Sequence, residues 1–142
     1  MTEGQIQLTI VTPDRLVARA DVEEIQVPGR EGYLGILRGH APLFSELKIG
    51  EVSYKISSGW RFLAVAWGFV EVLPDQVRIL AETAEQAHEI DVERALRSKE
   101  RAEQRLTKSR EDINFDRALA ALERALVRIQ VSRKTLSGRI ET

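Results

Sequence analysis

Between Ala84 and Ile90 the hydrophobic period of the chain changes, and one kind of secondary structure cannot span that change. Upstream, apolar residues alternate with polar ones. Ile6, Leu8 and Ile10 interleave with Gln5, Gln7 and Thr9, and Val52, Tyr54 and Ile56 repeat the pattern, which is the two-residue period of a half-buried strand. Downstream, apolar residues recur three and four positions apart, the period of a helix packed on one face. Backbone punctuation follows the same divide. Of nine glycines all but Gly138, and all four prolines, precede the switch. The pattern predicts two domains, a β domain over residues 1–86 and a helical one over residues 87–142.

In the first domain the strands are short and closely spaced. Residues 17–21, 22–28, 51–57, 60–66, 69–73 and 76–81 read as strands, with turns at Thr12-Pro13-Asp14-Arg15, Ser58-Gly59 and Pro74-Asp75. Between them lies residues 32–43, an apolar run carrying Gly32, Gly35, Gly39 and Pro42. A linker of that length would be polar, so the run reads as a strand that turns sharply inside a packed layer. A phosphate loop of the Walker type needs Lys and then Ser or Thr after its last glycine. Here Gly39 is followed by His40-Ala41, which excludes it. Many short strands without a helical period indicate a β-sandwich or a barrel.

The second domain carries two stripes. Ala95, Leu96, Ala102 and Leu106 form a narrow one. Phe115, Ala118, Leu119, Leu122, Ala125, Leu126 and Ile129 form a stronger one. A polar connector over residues 108–114 joins them, with Asp112 or Asn114 as the expected cap of the second helix. Two such helices make an antiparallel hairpin. Alanine buries little apolar area, so at about 25 cal/mol per Å2 its seam holds helices less firmly than a leucine seam. A hairpin so joined is able to open.

Composition narrows the function. A net charge of -1 offers no field for a nucleic-acid partner. No apolar run approaches the roughly 18 residues of a membrane helix, and the first 20 residues fit neither a signal nor a transit peptide. Cysteine is absent, and the two histidines, His40 and His88, are far apart. Without a nucleophile motif, metal-spaced ligands or a glycine-rich nucleotide loop, the chain does not read as an enzyme. His40 fits a local backbone contact or an interface, and Trp60 and Trp67 fit aromatics of the sheet.

The helical domain holds one sharper constellation. Asp91, Arg94, Arg101, Arg124 and Arg128 fall at roughly helical steps. Antiparallel folding would gather the guanidiniums, whose planar forks suit phosphate oxygens. The same residues also read as an N-cap at Asp91, with Glu85 and the arginines on solvated faces. The second helix is basic, with Arg117, Arg124, Arg128, Arg133, Lys134 and Arg139 against Asp116 and Glu123. It suits docking on an acidic protein surface, or a solvated face, and is less dense than arms that bind nucleic acid.

Three blocks occur in order: Leu8-Thr9-Ile10-Val11-Thr12-Pro13; Gly35-Ile36-Leu37-Arg38-Gly39-His40-Ala41-Pro42-Leu43; and Gly68-Phe69-Val70-Glu71-Val72 followed by Val77, Ile79-Leu80-Ala81-Glu82-Thr83-Ala84-Glu85. With Glu89-Ile90-Asp91-Val92-Glu93-Arg94-Ala95, Arg117-Ala118 and Arg124-Ala125, they resemble the epsilon subunit of the F-type ATP synthase over nearly the whole chain. Arg38 departs from the usual proline before Gly-His, and Trp67 from a second glycine before Gly68.

The resemblance implies a ten-stranded β-sandwich followed by a helical hairpin. It implies a non-catalytic central-stalk subunit that grips the gamma subunit and the c-ring and couples proton transport to ATP synthesis. The hairpin would be a regulatory arm that folds on the sandwich, or extends to the alpha/beta catalytic head and blocks ATP hydrolysis. No cofactor is required. Regulatory ATP is implied by Ile90-Asp91-Val92-Glu93-Arg94-Ala95, which matches the motif some bacterial members use, with Glu85, Arg101, Arg124 and Arg128 as its further contacts. Tyr33 and His40 would lie on loops meeting the c-ring or gamma. The expected location is peripheral, on the cytoplasmic face of a bacterial plasma membrane, with a plastid-encoded chain as second choice. A free-standing ATP sensor, and a sandwich module with a dimerising helical arm, are the other readings.

Overall fold

The computed structural model describes residues 4–108 and 112–136. Eight strands precede the helices: β1 (Ile6–Val11), β2 (Leu16–Val22), β3 (Glu24–Gly29), β4 (Gly32–Ile36), β5 (Leu43–Leu47), β6 (Gly50–Ile56), β7 (Gly59–Val72) and β8 (Gln76–Gln86). They form a β-sandwich. One layer runs β2-β1-β8-β7-β5, and the other is built from β4, β3 and β6 with the remaining halves of β7 and β8. All neighbours pair antiparallel except β1 and β8, which run parallel from Gln7↔Gln76 to Val11↔Leu80. The alternation in the sequence has its expected effect: Ile6, Leu8 and Ile10 are fully buried between the layers with Ile25, Leu63 and Ile79.

The ten strands implied by resemblance become eight because β7 and β8 each serve both layers. The sequence separates residues 60–66 from 69–73 at Gly68, yet β7 passes through that point unbroken. Residues 59–65 of β7 pair with β6, and residues 68–72 pair with β5. Against β8 its register is continuous on both sides of the bend, with Ala66↔Thr83 followed by Gly68↔Ala81; only the rung between Trp67 and Glu82 is missing. Trp67 makes the bend with φ +49°, left-handed backbone that costs an L-residue about 1–2 kcal/mol. Gly68 follows at φ +142°, where any Cβ would run into the backbone of Leu80 and Ala81. Dividing the two strands at this bend recovers ten segments.

Smaller differences have local causes. β5 carries no clean alternation and escapes the sequence reading. The β6–β7 turn falls on residues 57–58, with Gly59 at φ +131° opening the strand, because Ile56 and Gly59 are paired.

A short 3-10 turn (Ala87–Glu89) leads to α1 (Val92–Lys108) and α2 (Asp112–Leu136). Asp91 caps α1: its Oδ1 accepts from the Arg94 amide at 3.1 Å and its carbonyl from the Ala95 amide at 3.0 Å. Asn114 lies inside α2 and does not cap it. The Asp112 side chain, and residues 109–111 of the expected connector, lie outside the described residues.

The two helices pair over buried alanines seven residues apart, Ala95 and Ala102 on α1 with Ala118 and Ala125 on α2. Leu96, Leu119 and Leu126, expected within the stripes, face solvent at 41–46% exposure. The seam is thus narrower than the sequence pattern. A buried methylene-sized group contributes about 0.8 kcal/mol, against 1.5–3 for a whole leucine side chain. The opposite side of α2 rests on the sandwich, where Val131 and Val127 pack with Ala64, Phe62, Ala87 and Ile90.

Candidate functional site

A cleft of about 590 Å3 opens between the sandwich and the hairpin. Its floor is the end of β8, residues 82–85; its rim is the β1–β2 turn, with Thr12, Asp14 and Arg15. Its walls come from facing sides of the helices, Arg94, Ser98, Arg101 and Arg105 on α1 and Ala121, Arg124 and Arg128 on α2. Helical period explains the α1 wall, since positions 94, 98, 101 and 105 project from one side of a helix.

Five of the six residues expected to contact a nucleotide line this cleft: Glu85, Arg94, Arg101, Arg124 and Arg128. Asp91 does not line it, and its carboxylate is committed to the α1 cap. Glu85 is bonded rather than solvated, accepting from Arg128 Nε at 2.6 Å and Nη2 at 3.2 Å. Arg101 donates to Ser98 Oγ at 3.1 Å. The Arg124 guanidinium lies over the Trp67 ring, 5.2 Å from its centroid. Among the described residues, Arg94, Arg101, Arg105 and Arg124 have no carboxylate within salt-bridge distance. Four guanidiniums around one cavity repel one another, and a multivalent anion relieves that repulsion.

Sequence reasoning gave Arg15, Ser98 and Arg105 no place in the site, and noted Trp67 without its partner. Ser98 and Arg105 were readable, four residues beyond Arg94 and Arg101 on the same helical side. Arg15 and Trp67 arrive through the topology. Arg15 Nη2 donates to Glu89 Oε1 at 2.9 Å, and that hydrogen bond holds the Glu89 carboxyl below its usual range. Glu89 also accepts from the Gln86 amide at 2.9 Å, so one carboxylate fixes the start of the linker to the β1–β2 turn.

Further contacts hold α2 on the sandwich. Glu51 accepts from Lys134 Nζ at 2.8 Å and Gln130 Nε2 at 3.4 Å, and the Lys134 ammonium sits 4.6 Å from the Phe62 ring centroid. The basic end of α2 is in this way engaged by the chain's own sandwich.

Tyr33 is 61% exposed on β4, and its hydroxyl accepts from the Glu51 amide at 3.0 Å. His40 uses Nδ1–H on the Ala41 carbonyl at 2.7 Å, while its loop is held by the Gly39 amide on the Pro74 carbonyl at 2.8 Å. Elsewhere on the sandwich surface Phe44 and Phe69 stack at 5.3 Å, with exposed Leu80 beside Phe69 in register. Among the described residues no group of three or more carboxylates and histidines is placed to hold a metal, and no helix is long and apolar enough to cross a membrane.

Two family descriptions match the chain. Residues 5–87 match the family described as "ATP synthase, Delta/Epsilon chain, beta-sandwich domain". Residues 88–133 match "ATP synthase, Delta/Epsilon chain, long alpha-helix domain". An ATP synthase epsilon chain of Koribacter versatilis is 59% identical over 103 residues, 72% of each chain. One of Syntrophobacter fumaroxidans is 48% identical over 107 residues, 75% of this chain and 80% of that one. One of Bacillus pumilus is 50% identical over 101 residues, 71% of this chain and 77% of that one. Among solved structures, a chain of the Euglena gracilis mitochondrial ATP synthase shares the fold with a TM-score of 0.77 at 24% identity, covering 94% of this chain and 82% of that one. The chain therefore belongs to the delta/epsilon-chain family of ATP synthase.

Proposed function

We propose that the sandwich grips the gamma subunit and the c-ring while the hairpin acts as an arm whose folded state is held by ATP. The single observation behind the second half is the cleft. Its volume of about 590 Å3 falls within the usual 300–1,000 Å3 of ligand sites, and four of its arginines have no carboxylate of their own among the described residues. Guanidinium forks would take the triphosphate, with α1, α2 and β8 all contributing, so a bound nucleotide favours the closed arm over the open one. A ligand shifts such an equilibrium by its difference in affinity for the two states. Released, the arm would present its basic side and exposed leucines to the alpha/beta catalytic head and stop ATP hydrolysis.

The Phe44, Phe69 and Leu80 patch supports the first half, as an apolar surface suited to a protein partner such as gamma. Tyr33 and His40 are proposed to meet the c-ring or gamma. The chain would then be peripheral, held on the cytoplasmic face of a bacterial plasma membrane through the complex. Family membership supports this over a free-standing ATP sensor.

Two measurements test the reading. ATP titrated into the full chain should give saturable backbone NMR shifts over residues 85–130, weakened by Arg124→Ala; flat shifts to millimolar ATP overturn the nucleotide half. Deleting everything after Ala87 should raise ATPase activity of the assembled complex without loss of assembly. Unchanged hydrolysis would remove the inhibitory role and leave the stalk role standing.

A further inference from the structure

Trp67 combines three properties that no other described residue shares. It is the one non-glycine residue among them with left-handed backbone, at φ +49°. It is 40% exposed, although large and aromatic. Its ring lies under Arg124, which lines the cleft on the arm. A strained aromatic at a bend gains nothing for the sandwich core, because its side chain is not in it; glycine would make the same bend without strain. What the ring does reach is the guanidinium of the opposite domain.

We propose that Trp67 is a positioning residue for anion binding in the cleft, seating Arg124 so that its N–H groups are aimed at the polyphosphate. This rests on the nucleotide reading given above. An aromatic ring meets a guanidinium through its face, whereas a phosphate takes the N–H groups at its edge, so the two contacts add and do not compete. Arg124 donates no hydrogen bond to another described side chain, so without the ring its long chain would sample many rotamers, and ordering it would fall on the ligand. The bend at Trp67-Gly68 directs the ring outward from β7, and the missing rung opposite Glu82 leaves it there.

The test is calorimetric titration of the full chain with ATP, for the wild type, Trp67→Gly, Trp67→Phe, Arg124→Gln and the Trp67→Gly/Arg124→Gln double variant. Trp67→Gly should weaken binding about five- to tenfold. Trp67→Phe, which keeps a ring face, should recover most of that loss. The double variant should bind no more weakly than Arg124→Gln alone, since both changes remove one contact. Thermal melting supplies the control: Trp67→Gly should melt no lower than the wild type, so that lost affinity is not lost folding. Equal affinity in wild type and Trp67→Gly, or a double variant that multiplies the two losses, overturns this inference and leaves the nucleotide reading intact. A wild type that takes up no ATP overturns both.

Discussion

Arg128, in the C-terminal half of α2, forks onto both carboxylate oxygens of Glu85 at the end of β8, and the two side chains are only 22% and 33% exposed. The pair joins arm to sandwich at the inner end of the cleft. It is also where a bound anion would redistribute charge, since Glu85 neutralises one of the arginines that line it.

Glu85→Gln keeps the shape of this contact and removes its charge. Charged hydrogen bonds of this kind contribute about 1.5–3 kcal/mol when buried, and partial exposure reduces that to about 1–2 here. Amide exchange over α2 should therefore quicken roughly 5- to 30-fold, with the core amides of β1 and β7 unchanged. Uniform acceleration in both domains would show that the pair stabilises the sandwich instead.

The alanine seam makes an asymmetric prediction. Ala125 is 2% exposed against α1, so Ala125→Leu has no room and should cost about 1–3 kcal/mol of hairpin stability. Leu126, the next residue, faces solvent, and Leu126→Ala should change stability by no more than about 0.5 kcal/mol. Urea titration followed by the helical circular dichroism signal reads both.

At the bend, Gly68→Ala should destabilise the sandwich by at least about 2 kcal/mol, because φ +142° and the Leu80 backbone both reject a Cβ. Its neighbour should behave in the opposite sense, as Trp67→Gly relieves left-handed strain. A pair of adjacent substitutions with opposite effects on melting temperature would be the signature.

Acid should loosen the linker. Arg15 holds the Glu89 carboxyl below the ordinary glutamate value of about 4.3, so the stabilisation is complete above that pH and is lost as pH falls through the lower folded value. The Gln86 amide, which donates to Glu89, should report the step as a shift confined to that acid range. In Arg15→Met the step should move up toward the ordinary value. A wild-type profile that already titrates there would mean the pair is not held in solution.

The β and helical classes were legible because alternation at Ile6, Leu8 and Ile10 and helical spacing around Ala118 and Ala125 are local signals. So was most of the cleft, since Arg94, Arg101, Arg124 and Arg128 recur with the helix period. The stripes misled over Leu96, Leu119 and Leu126, because periodicity cannot tell a seam of alanines from the leucines flanking it. Arg15 reaches Glu89 across 74 residues of chain, and Trp67 reaches Arg124 only once β7 has bent. Contacts made by topology leave no mark in sequence spacing. The family pattern drew attention to Trp67 as a departure, but its partner required coordinates.

The passage of β7 and β8 through both layers has a mechanical meaning. In a sandwich whose sheets touch only through side chains, a torque applied to one sheet is passed on by sliding contacts. Here two adjacent strands, hydrogen-bonded in one register on both sides of the bend, enter both sheets. Twist imposed on the layer containing β5 reaches the layer containing β6 along covalent backbone. Shear between the layers must stretch that backbone or break its ladder, so the two layers are coupled as one stiff body.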